Sequence, residues 1–323
     1  MTKRALIIGI NEYIDPNISN LAGCVPDAKA MQDVLSRHED GRPNYDCKIL
    51  TSPHAGRILS RATVRAAIQD LFNYDEHVLF YFSGHGSLED TGGYIVTQDG
   101  TRGDPGLLMD EIITLANGSR ARSVILILDC CFAGNIGNPA GAQTSLHAQA
   151  SLREGLTILA ASRPTEPSME VGGQGVFTEL VLGALKGGAA NTRGYVSAAS
   201  VYGYVEAALG PWDQRPIYKS HAKQLDAIRE CEPIISDALL RELPTFFQTA
   251  DFEYQLDPTF EESNSSAKPK NVSIFKIFKQ YQTAGLLKNR SGRDLYWTAE
   301  QSGAVLLTPL GEFYWRLARG QRL

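Results

Sequence analysis

Long apolar runs are missing from this chain of 323 residues. No stretch approaches the roughly 18 residues that a bilayer-spanning helix needs, which argues against a membrane protein. The opening Lys3-Arg4 followed by Ala5-Leu6-Ile7-Ile8-Gly9-Ile10 is basic and then apolar. It is too short for a signal peptide and has no cleavage region after it, so it reads as a buried first strand. Cysteine is sparse. Cys24, Cys47, Cys130, Cys131 and Cys231 show neither the spacing of a disulfide framework nor the paired CxxC of a zinc site. A reducing, cytoplasmic setting is therefore expected. No dense acidic loop of the EF-hand kind occurs, so no metal site is assigned, no cofactor is expected to be required, and calcium dependence stays open.

What is present is an ordinary globular composition, 43% hydrophobic and 21% charged,. The net charge of −5 conceals an asymmetry. Residues 1–267 carry 21 basic and 33 acidic side chains, whereas residues 268–323 carry 10 and 3. A sign change that abrupt suggests two modules.

Up to about residue 225, strands and helices alternate. Short apolar runs at 4–10, 77–83 and 123–129, with weaker ones at 47–51 and 156–161, suit parallel strands buried on both faces. Helical patterns fall near 26–38, 63–74, 107–117, 176–186 and 198–209. The expected fold is α/β, an open, mostly parallel sheet with helices on both faces. The segment 135–155, rich in Gly, Ala, Asn and Ser, has little periodicity and reads as a long functional loop. A partly helical, acidic connector is expected over 226–267, ending in the polar string Ser263–Ala267. Residues 268–323 read as a small α+β unit. It has a helix around Val272, Phe275, Phe278 and Tyr281, strands at Leu295–Thr298 and Ala304–Leu307, and a last helix capped by Thr308 with Pro309 at its first position. Helix, hairpin, helix is compatible with a winged helix.

Reactive groups in open α/β sheets collect at the carboxyl ends of strands. The strand 77–82 runs into Ser83-Gly84-His85-Gly86, and the strand 123–128 runs into Asp129-Cys130-Cys131-Phe132-Ala133-Gly134. A free thiol is only slightly ionised at neutral pH, and an imidazole nearby can take its proton and later protonate a leaving amine. Backbone N–H groups of Gly86 and Cys131 are candidate donors to the oxyanion. No third, orienting side chain is evident. Taken singly, Cys131 reads more readily as a buried small hydrophobe, and Asp27 has the alternative of a helix N-cap. Together, the two glycine-flanked turns make a nucleophile–base pair the stronger reading.

Over residues 4–220 the sequence resembles the caspase-like cysteine peptidases, and within them the metacaspases and their bacterial relatives. The resemblance rests on Ala5–Tyr13, Leu21–Ala28, Tyr81–Gly86, Asp129–Gly134, Leu159–Ser162 with Glu170, Gly175–Thr178 and Gln214-Arg215-Pro216. It implies a caspase-like fold over 1–225, His85 as base and Cys131, two residues after Asp129, as nucleophile. Phe132 departs from the histidine common at that position. The resemblance also places acids of a primary pocket at Asp27 and Asp129. Such a pocket would favour Arg, able to bond bidentately, or Lys before the scissile bond of a protein substrate. Family members often cut themselves, and Arg153 is the only basic residue in 135–155. A bacterial stress or antiviral-defence setting is implied as well.

The basic end, with eight aromatics in 268–323, could dock a regulatory protein partner or bind nucleic acid, or its aromatics could simply form a small core. Two other readings of the whole chain compete with an active endopeptidase. One is a catalytically silent scaffold on the same fold, and the other is a regulator that acts through the basic end.

Overall fold

The computed structural model describes residues 3–52, 58–130, 152–161, 170–171, 174–209, 216–222, 226–290, 292 and 294–323. The chain divides into two compact units, residues 1–190 with 195–231, and residues 191–194 with 232–323.

In the first unit the order is β1 (Lys3–Ile10), α1 (Cys24–Ser36), β2 (Tyr45–Ser52), α2 (Arg61–Phe72), β3 (His77–Ser83), β4 (Gly86–Glu89), β5 (Gly92–Thr101), β6 (Asp104–Leu108), α3 (Met109–Asn117) and β7 (Ser123–Asp129). There follow β8 (Leu156–Ala160), β9 (Glu170–Val171), β10 (Gln174–Gly175), α4 (Val176–Gly183), β11 (Tyr195–Ser197), α5 (Ala198–Leu209), β12 (Ile217–His221) and β13 (Ala227–Glu230). Six strands form the main sheet in the order β12-β8-β7-β3-β1-β2. All neighbours in it are parallel except β12 on β8. The expected strands and helices of this unit are all present, within two or three residues at most ends.

Strand alternation sorts the apolar side chains into two cores. Ile8, Phe80, Leu126 and Ile158 meet α2 and α3 through Val64, Ile68 and Ile112 on one face. Ile7, Tyr81, Ile127 and Leu159 meet α1, α4 and α5 through Met31, Val181 and Val201 on the other. Both faces are covered, which is why the strands read as unbroken apolar runs. The antiparallel sheet β4-β5-β6 was not legible in the sequence. Its Ile95, Val96 and Leu107 join the α2–α3 core.

The strand order reverses between β1 and β3: the chain leaves β1 for β2 on one side, while β3, β7 and β8 build outward on the other. Loops diverging from such a point leave a crevice at the carboxyl edge.

The second unit contains α6 (Asp237–Phe246), β14 (Tyr254–Gln255), α7 (Pro269–Thr283), β15 (Leu287–Asn289), α8 (Leu295–Glu300), β16 (Ala304–Leu307) and α9 (Pro309–Arg319). Three sequence expectations are corrected. Residues 227–230 are a strand that pairs with β11, so the first unit runs to Cys231 rather than ending at 225. Residues 232–267 are not a separate connector, because Leu240, Leu243, Phe247 and Phe260 share one core with Phe275, Phe278 and Trp315. Leu295–Thr298 is the helix α8, not a strand, since the Asp294 side chain accepts from the Tyr296 N–H and caps it,. The Thr308 cap before Pro309 is as expected. The acidic stretch meets the basic end within this unit: Glu262 pairs with Lys276 at 3.0 Å, Glu261 with Lys279 at 3.6 Å, and Glu253 with Arg290. No helix among the described residues is long and apolar enough to cross a membrane.

Candidate active site

β3 and β7 end level. Ser83 is the register partner of Asp129, and the Gly84 N–H donates to the Asp129 carbonyl at 3.3 Å. His85 follows directly at the carboxyl edge, half-buried. Any side chain at Gly84 would collide with Phe82, 2.8 Å away, and crowd the Tyr13 hydroxyl at 3.1 Å. With glycine there, that hydroxyl reaches the His85 N–H at 2.8 Å. Tyr13 also sets its ring against the imidazole, centroids 5.0 Å apart. Burial raises the Tyr13 pKa well above its ordinary value, so the hydroxyl stays protonated and donates to the Ile10 carbonyl at 3.3 Å.

The orienting group that the sequence did not reveal belongs to the main chain. His85 Nε2 lies 2.7 Å from the carbonyl oxygen of Ser19. A carbonyl only accepts, so Nε2 carries the proton and Nδ1 keeps the basic lone pair. The loop bearing Ser19 leaves β1 at the strand-order reversal, and side chains hold it. The Asn11 side chain bonds the Ala22 carbonyl at 3.0 Å and the Val25 N–H at 3.1 Å. Asn20 Oδ1 accepts from the Tyr13 N–H at 3.0 Å. Gly9, at the end of β1, lets α1 approach closely, because a Cβ there would sit 2.3 Å from the Cys24 carbonyl.

Two buried carboxylates lie on the α1–α4 side of the sheet. Asp27 is 1% exposed and Asp129 3%. The first accepts the Gly175 N–H at Oδ2, 3.2 Å. Asp27 sits inside the first turn of α1, whose N-cap is Gly23, so the helix-cap alternative does not hold. The second accepts the Thr178 hydroxyl at 2.7 Å. Thr178, its proton used there, accepts from the Tyr81 hydroxyl at 2.6 Å. Burial first, then the charges of Asp129 and Asp27, push the Tyr81 pKa well above its ordinary value. Both acids thus act on one buried phenol.

Cys130 is buried in the core, 1% exposed. Cys131 follows it in sequence and lies outside the described residues, as do Phe132, Ser162, Gln214 and Arg215. Arg153 is placed: its guanidinium bonds the carbonyls of Ala116, Ala121 and Glu154 at 2.9, 2.6 and 2.9 Å. None of the four described cysteines forms a disulfide. Among the described residues no three His, Cys, Asp or Glu side chains gather closely enough to hold a metal ion.

Beside His85 opens a cleft of about 490 Å³, lined by Asp15, Ser19, Ser87, Glu89 and Arg102 among others. Ser87 Oγ donates to Glu89 Oε1 at 3.1 Å. Hydrogen bonds from the Asn17 backbone and side chain hold Asp15 below the usual carboxylate range.

A mostly parallel sheet with an imidazole at the carboxyl edge of its strand-order reversal defines an open α/β protein, a class in which functional groups collect in the loops at that edge,. The family model of the caspase domain matches residues 2–228. The chain belongs to this family of cysteine-type peptidases. A comparison with curated proteins found no match. Among solved structures, a crystallised protein from Geobacter sulfurreducens aligns with 73% of this chain and 100% of its own, at 19% identity and a TM-score of 0.49. At that distance the likeness bears on neither fold nor function.

Proposed function

We propose that the chain is an endopeptidase of the metacaspase type in which His85 activates Cys131 and cuts after Arg or Lys. The observation that carries this reading is the 2.7 Å contact of His85 Nε2 with the Ser19 carbonyl, which leaves Nδ1 as the base. In the first step the Cys131 thiol gives its proton to Nδ1 and the sulfur attacks the scissile carbonyl carbon. The oxygen takes up the negative charge, with Gly86 and Cys131 N–H groups as donors. Collapse breaks the C–N bond, and the leaving amine takes the proton from the imidazolium. Water, deprotonated by Nδ1, then hydrolyses the thioester and returns the thiol. Burial of Cys130 in the core favours its neighbour as the nucleophile. The pair of buried acids, Asp27 and Asp129, supports selection of a cationic side chain.

The second unit we read as a winged-helix-like docking element for a regulatory partner, in a cytoplasmic defence or stress role. Its exposed Trp297, Leu310 and Phe313, each more than 40% accessible, suit a protein partner better than nucleic acid, because several of its basic groups are already paired with Glu253, Glu261 and Glu262. Fluorogenic peptides ending in Arg, Lys, Asp or norleucine test the peptidase reading. Hydrolysis confined to Arg and Lys, and abolished in Cys131→Ala and His85→Ala, is expected. An inactive wild type across pH, calcium and partner conditions would remove it.

A further inference from the structure

The strand β4 begins one residue after His85 and has a partner, β5, on one edge only among the described residues. Its register is Gly86 with Ile95, Ser87 with Tyr94, Leu88 with Gly93 and Glu89 with Gly92. The His85 carbonyl accepts the Val96 N–H at 2.9 Å. Antiparallel ladders alternate, so the His85 carbonyl and the main-chain groups of Ser87 and Glu89 are directed to β5, and those of Gly86 and Leu88 face the other edge,. The Leu88 side chain is 49% exposed, so no core packing covers the face of β4 that carries it. Side chains alternate too, which puts Ser87 and Glu89 on one face, and both line the cleft beside His85,.

The two sides of the central sheet separate the parts of a substrate. Tyr81, with Asp129 and Asp27 around it, belongs to the α1–α4 core. The β4–β6 sheet packs through Ile95, Val96 and Leu107 on the opposite core. A side chain held by the acids and a chain following β4 therefore diverge from His85.

From these positions we infer that the outer edge of β4 is a subsite for the substrate residues that follow the scissile bond, bound as an added parallel strand. The inference rests on the peptidase reading above. β4 runs away from His85, and so does a substrate beyond its cut bond, hence the parallel sense. With the Gly86 N–H on the scissile carbonyl, parallel pairing gives the Gly86 carbonyl the N–H of the second residue after the cut. The Leu88 N–H then bonds the carbonyl of that same residue. The N–H of the third residue points away. The second residue's side chain shares a face with Ser87 and enters the cleft, where Asp15 and Glu89 against Arg102 favour a polar or basic group.

The kinetic test uses the unaltered chain and modified substrates. Internally quenched peptides with Arg before the cut carry an N-methyl on the main-chain amide of the second or the third residue after it. The first modification is expected to lower kcat/KM about tenfold and the second less than about twofold. Equal effects, or the reverse order, would overturn the added strand. An Arg-aminocoumarin peptide, which has no chain beyond the cut, monitors the peptidase reading separately. Should nothing be hydrolysed, that reading fails, and fluorescence anisotropy of the same peptides on Cys131→Ala protein still decides: the same contrast in affinity supports the strand, and its absence sinks it.

Discussion

The main-chain N–H of Gly175 donates 3.2 Å to Oδ2 of Asp27, across 148 residues of sequence. This bond ties the first turn of α1 to the start of α4 and holds one buried carboxylate on the side of the sheet where Asp129 also lies. Asp27→Asn and Asp129→Asn keep the shape and remove one charge each. Each is expected to lower kcat/KM on Arg peptides about ten- to a hundredfold while changing norleucine peptides far less. Parallel losses on both would separate these acids from specificity.

Tyr13 holds His85 through its main-chain N–H and through ring contact. Tyr13→Phe leaves the His85 N–H without its acceptor, at a cost of about 1–3 kcal/mol in stability. It is expected to lower kcat about tenfold with KM nearly unchanged. A melting curve and steady-state kinetics on the same preparation check both. A change in KM alone would argue against a positioning role.

Two histidines away from the site make the fold acid-sensitive. His77 and His38 are each 8% exposed, and burial lowers both pKa values. At His77 burial outweighs Asp226, whose carboxylate lies 3.4 Å away and pulls the other way. At His38 it outweighs Glu230. With the folded values below the unfolded value of about 6.5, the unfolded chain binds more protons as pH falls through that point. Stability is therefore expected to be flat above about pH 7 and to fall below about 6.5, levelling once the folded histidines titrate. Melting temperatures from pH 8 to 5 measure this, and His77→Asn should flatten the slope.

The sequence points to Arg153 as a self-cleavage point, and its side chain is anchored on three carbonyls. Cleavage there requires their release. Arg153→Gln is expected to cost about 1–3 kcal/mol, as the Ala116 and Ala121 carbonyls lose their donor. Mass spectrometry of the active chain decides the processing question: an intact Arg153–Glu154 bond throughout turnover ends the proposal.

Because Leu240, Phe247 and Phe260 share a core with Phe275 and Trp315, a fragment of residues 232–323 is expected to melt cooperatively, whereas 268–323 alone is not. Circular dichroism of the two fragments checks this.

The main sheet was legible because strands covered on both faces are unbroken runs such as Val78–Phe82, and the helices between them keep their own period. The β4–β6 sheet was not, since Asp90-Thr91-Gly92-Gly93 interrupts its alternation and Gly and Asp dilute the rest. Leu295-Tyr296-Trp297-Thr298 has strand composition, and only the Asp294 cap and the packing of Leu295 and Ala299 make it helical. At the site, His85 could be found by its glycines, Asp27 and Asp129 only through the family resemblance. Tyr13 stood within a matched motif without a stated role.

The Ser19 contact has an evolutionary corollary. A carbonyl oxygen is supplied by any amino acid, so position 19 is free to drift in identity without disturbing the imidazole. What selection can act on instead is the number of residues between Asn11 and Asn20, the two side chains that brace the loop. Insertions or deletions there should be far more damaging than replacements at Ser19 itself.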